Sequence, residues 1–189
     1  MALLHLLNHN LSWHKRDEWS RAVSFLSRLY ASFLHEFEGT REMAHIVRSR
    51  IDTIDHFIQK HTAAICPDCK QVCCINKHGY YDYEDLIYIK ALGVEPPFYM
   101  EGIKDTEACQ FLSVNGCAIE RSLRPFRCNW YFCDALIKNI ENGFAKDYRL
   151  FSRNIEEIMD IRNDMLTSFF KAAAVVEKEL SAVHFEEIS

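Results

Sequence analysis

Glycine is scarce in this chain of 189 residues. Its six glycines, at positions 39, 79, 93, 102, 116 and 143, are too scattered to build a phosphate-cradling or dinucleotide loop. A nucleotide-dependent enzyme of the usual Gly-rich kind is therefore not expected. Uninterrupted apolar stretches are also missing, and none approaches the ~18 residues that a membrane-spanning helix requires. Met1 to Leu7 is apolar only briefly, is broken by His5, and has neither a basic leader nor a small-residue cleavage site, so no signal peptide is expected. Basic runs are absent too. With a formal charge of -5 there is no general attraction to phosphates, and nucleic-acid binding is not expected. The one local exception is Arg121, Arg124 and Arg127, for which Glu120 and Asp134 offer nearby ion-pair partners. Together these absences predict a cytoplasmic protein.

Hydrophobic residues make up 49% and charged residues 26%, a balance that supports a folded globular chain. The length suits a single domain spanning 1–189. From Asp17 to Phe37 the apolar positions Trp19, Ala22, Val23, Leu26, Leu29, Tyr30, Phe33, Leu34 and Phe37 recur at helical spacing, and Gly39 offers a stop. A second helical pattern runs from Thr40 to Lys60, so residues 1–61 are expected to form a helical hairpin. Patterning returns after Asp134, over Phe144 to Ile161 and Met165 to Leu180, as two helices or one long helix bent near Asn163. The apolar faces of 135–189 need a partner, and the hairpin has one of matching character. The expected fold is mainly α, a helical bundle with an irregular cysteine-rich, metal-binding insertion over 62–134.

All four prolines and all eight cysteines fall in that insertion. One helix interrupts it, with Asp82 as its N-cap, Asp85 in the first turn and Gly93 at its end. The first cysteine block holds Cys66, Cys69, Cys73 and Cys74, and the second holds Cys109, Cys117, Cys128 and Cys133. In a reducing compartment such clustering favours metal ligation over disulfides. The turn from Cys66 to Cys69 can bring two sulfurs to one metal, as in zinc knuckles and cluster loops. Cys73 and Cys74 project apart, so one of them is expected to join Cys66 and Cys69 while the second block completes the coordination. All eight are candidate metal ligands. His61 and His78 flank the first block as possible substitutes, or as ordinary polar residues. Tyr80 to Glu84 borders either a substrate pocket or a packed helix start. Arg124 either offsets thiolate charge or simply precedes the turn at Pro125.

The pattern Cys66-x-x-Cys69, Cys73-Cys74, Cys109, Cys117 and Arg124-Pro125-Phe126-Arg127-Cys128 resembles the YkgJ-type cysteine-cluster family of zinc- or iron-chelating domains over roughly 62–134. Asn129 stands where that family often carries arginine, and Cys133 lies beyond its pattern. The resemblance implies a metal centre, commonly an iron-sulfur cluster, with zinc as the alternative. Three functions follow: a cluster protein with a redox or catalytic role, a structural zinc module that mediates protein interaction, and a protein-modifying enzyme akin to flagellin lysine N-methylase. A protein partner or substrate fits all three.

Overall fold

The helical periodicities are realised in a mainly α fold. A computed structural model describes residues 11, 15–68, 74, 79–97, 100–104, 106–114 and 116–186. Helix α1 spans Arg16–Ser32 and α2 spans Glu38–Ile65. Within the cysteine segment lie α3, Tyr83–Ala91, the two-residue strands β1, Leu112–Ser113, and β2, Gly116–Cys117, and a 3-10 turn at Arg121–Leu123. Short helices α4, Arg127–Trp130, and α5, Asp134–Glu141, lead into α6, Ala145–Glu186. Among the described residues no helix is long and apolar enough to cross a membrane.

The long helices α2 and α6 pack against each other along their lengths, while α1 lies on α3. One cluster of buried side chains draws on all four: Leu26 of α1, Ile51 and Ile54 of α2, Ile87 of α3, and Ile158 and Phe169 of α6. The two ends of the chain thus share a core, and the cysteine segment contributes to it. Helix α3 is its most enclosed element, with every residue from Asp85 to Leu92 buried. A helix covered on all sides needs no amphipathic stripe, which is why α3 reads as a short apolar run.

Two boundaries differ from expectation. Helix α1 ends at Ser32 and not at Phe37, and Leu34 faces solvent. The chain turns there because Phe37 is driven into the core, 5.0 Å from the Tyr30 ring and 5.2 Å from that of Phe169. Gly39 is no stop but lies in the first turn of α2. At the other end, α6 runs through Asn163 as one helix.

Helix α3 has local punctuation at both ends. Asp82 accepts from the Asp85 amide at 2.8 Å, and Asp85 accepts in return from the Asp82 amide at 3.3 Å, forming a capping box. At the C-terminus Gly93, with φ of 73°, donates to Lys90 O at 3.0 Å, and Val94 donates to Ile89 O at 3.2 Å, a Schellman closure. Gly93→Ala forces a side chain into the left-handed region and is expected to cost about 1–2 kcal/mol in urea denaturation.

Candidate metal centre

The two cysteine blocks meet through backbone first. The Cys109 amide donates to Cys74 O at 2.7 Å, which ties the end of the first block to the start of the second. The Gly79 amide then donates to Cys109 Sγ at 3.4 Å. A Cβ at position 79 would lie 3.5 Å from Cys109 Sγ and 3.5 Å from Cys128 Sγ, so both sulfurs close on one backbone spot. Cys128 reaches it from α4, whose first turn is closed by the Cys128 amide donating to Pro125 O at 2.8 Å. Cys117 comes from β2, paired across the hairpin with Leu112.

Electrostatics describes the same gathering. The Cys74 thiol is pushed up first by burial and then by Cys109, Cys117 and Cys66, while the Arg124 guanidinium draws it down. Burial pushes Cys128 up to about 12, with Cys109, Cys74 and Cys117 adding to the effect. Cys74 and Cys128 thus each lie within electrostatic reach of Cys109 and Cys117, Cys128 also of Cys74, and Cys74 also of Cys66. Cys133 stands apart as the N-cap of α5 and is not among the groups that principally shift Cys74 or Cys128. Cys69, Cys73 and His78 lie outside the described residues. Cys74, Cys109, Cys117, Cys128 and Cys133 form no disulfides.

The flanking candidates take specific places. His61 is buried, with Nδ1 2.7 Å from Asn139 Oδ1 and its ring against Phe57, the arrangement of a structural side chain. Arg124 donates to Ile119 O at 2.8 Å while its charge acts on Cys74. Arg121 is buried and pairs with Asp55 of α2, and Arg127 lies over the Tyr80 ring at 4.9 Å. Among the described residues the three arginines thus find separate partners, neither Glu120, which pairs with Arg48, nor Asp134 among them. Tyr81 is packed between Trp19 and Phe111, and its hydroxyl donates to Leu123 O at 2.6 Å.

Asp85 joins this segment to the bundle. Its carboxylate accepts from the Phe126 amide at 3.0 Å, two residues before Cys128, and from Arg162 of α6 at 3.3 Å. Arg162 also holds Glu84 at 2.7 Å and lies over the Phe126 ring at 4.5 Å. Burial, and then Asp82, raises the Asp85 carboxyl to about 7, against the opposing pull of Arg162 and two backbone donors.

Among the described residues, no three histidine, cysteine, aspartate or glutamate side chains form a ligating array. Their chemistry nevertheless suits a sulfur-bound metal. The donors are soft, the bare Gly79 backbone leaves room between two sulfurs, and an amide N–H already points at one of them. A buried amide side chain also lacks partners next to Cys128: Asn129 is wholly buried, and neither its nitrogen nor its oxygen has one among the described residues.

No family model, no curated protein and no solved structure matches the chain. What the centre can do follows from its own side chains. Gly79 and Arg162 have roles here that the sequence reading passed over. For Gly79 a signal existed, a lone glycine five residues after the double cysteine. Arg162 had none.

Proposed function

We propose that this chain is a metal-binding cysteine-centre protein whose occupant is an iron-sulfur cluster, in keeping with its resemblance to the YkgJ-type family. The observation that carries the reading is the closure of Cys109 Sγ and Cys128 Sγ on the Gly79 backbone, with the Gly79 amide donating to sulfur. Backbone N–H donors to sulfur offset anionic charge and tune reduction potential at cluster sites. Cys66, Cys74, Cys109, Cys117 and Cys128 are the thiolates best suited to hold it, with Cys69 and Cys73 as further donors from the first block. When bound, the cluster supplies one-electron chemistry in a half-buried setting. Arg124 limits the cost of gathering anionic sulfurs. A cytoplasmic setting, which keeps thiols reduced, belongs to the same reading.

Zinc is the second reading, favoured by the mutual influence of Cys74, Cys109, Cys117 and Cys128, as many thiolates as a closed tetrahedral site takes. Its role would be to order the cysteine segment for a protein partner. Anaerobic purification separates the two. Iron-sulfur occupancy predicts a brown protein with broad visible absorption and acid-labile sulfide; a colourless protein with stoichiometric zinc would assign the site to zinc. Because burial keeps the Cys128 thiol protonated, pushed up to about 12, loading either occupant should release protons and strengthen as pH rises. Loss of colour and of both metals after anaerobic preparation would sink the proposal.

A further inference from the structure

Where α4, α5 and the N-terminal part of α6 meet, they enclose an open cavity of about 270 Å³. Four aromatic rings line it: Trp130 of α4, Phe132 of the link to α5, and Tyr148 and Phe151 of α6. The rings of Phe132 and Phe151 stand 5.5 Å apart with their planes at 55°, so they form a corner and not a flat wall. Phe151 is fixed there, because its ring also stacks on that of Phe57 of α2 at 4.4 Å. Along α6, Tyr148, Phe151 and Ile155 recur as one helical stripe, and Glu156 borders it. Trp130 and Tyr148 are half-exposed, so small solutes can reach their rings.

The charge of the lining selects the ligand. Glu156 is its one charged side chain, and no ion pair among the described residues engages it. Its neighbour Glu157, by contrast, pairs with Arg50. The free carboxylate repels an anion, and a neutral apolar molecule makes no use of it. Aromatic rings carry a negative π-face, which attracts cations and most of all those with a weak hold on water. A methylated ammonium group suits both features, since its methyls pack on the rings while its charge meets the carboxylate. The volume lies just below the ~300–1,000 Å³ usual for small-molecule sites, which restricts the ligand to few heavy atoms. We infer that this cavity binds a small quaternary ammonium cation, held by the rings of Trp130, Phe132, Tyr148 and Phe151 with Glu156 as countercharge. The site is independent of the metal-centre reading and stands or falls without it.

Calorimetric titration of the full chain with choline, and with its neutral isostere 3,3-dimethylbutan-1-ol, tests this. The two molecules share shape and apolar area, so charge alone separates them. Choline should bind about tenfold more tightly than the isostere. Trp130→Leu and Tyr148→Leu should each weaken choline binding about two- to thirtyfold, the range of a cation held over a ring. Glu156→Gln should weaken it about two- to fivefold, as an exposed countercharge does. All three side chains are exposed, so the variants should fold, which circular dichroism checks. Equal affinity for choline and the isostere would reduce the site to an apolar cavity and overturn the inference. So would the absence of choline binding at millimolar concentration, or an affinity that all three variants leave unchanged. If a variant does not fold, the comparison of choline with its isostere on the natural chain still decides.

Discussion

Cys128→Ser is expected to reduce metal per chain to background, whereas Cys133→Ser leaves it unchanged. Cys128 shares the Gly79 spot with Cys109 and interacts electrostatically with Cys74, Cys109 and Cys117. Serine is a poor ligand for soft metals, so one substitution removes a soft donor from that set. Metal binding at a thiolate site is also folding energy, roughly 10–16 kcal/mol for structural zinc at neutral pH. Loss of the centre should therefore destabilise the cysteine segment by several kcal/mol of that amount. Cys133, at the N-cap of α5, is outside the interacting set and serves as the control. Metal content measured anaerobically for both variants decides the matter, and equal loss in both would contradict this assignment of ligands.

Arg162→Met is expected to cost about 3–5 kcal/mol of stability at pH 8, because it leaves a buried carboxylate without its countercharge. The side chains of Arg162 and Asp85 are 8% and 6% exposed, so solvent cannot take over the role. The cost should depend on pH in a direction that follows from linkage. Burial raises the Asp85 carboxyl to about 7, well above the ordinary aspartate range near 3.8, so the folded chain binds the proton more tightly than the unfolded one between those values. Stability contributed by this group is present below about pH 4 and lost as pH rises toward 7. Arg162 opposes the rise, so removing it moves the Asp85 pKa higher and extends the loss above pH 7. Arg162→Met should thus be mild near pH 5, where Asp85 stays protonated, and severe at pH 8. Urea titrations at the two pH values test this, and a cost independent of pH would refute it. Asp85→Asn in the same background should remove most of the difference. Since Asp85 also accepts from the Phe126 amide, the loosened variant should hold Cys128 less firmly and lose metal more readily.

Much of the fold was legible from local pattern. The stripes of α1, α2 and α6 reflect faces that each helix must bury, and the ends of α3 are set by Asp82, Asp85 and Gly93, whose effects act within a few residues. Gly39 was misread because a glycine permits a stop without imposing one. What ends α1 is Phe37, and its partner Phe169 lies far along the chain.

By itself, then, the sequence determined the helices, the caps of α3 and the crowding of thiols into one segment, since each depends on side-chain type and spacing over a turn or two. Tertiary structure alone decided that α3 lies in the core, that Cys74, Cys109, Cys117 and Cys128 interact while Cys133 stands apart, and that Asn129 is buried without a partner. It also brought Arg162 to Asp85 across 77 residues. Burial and countercharge come from elements distant in sequence, and a spacing rule that spans only one or two turns carries no information about them.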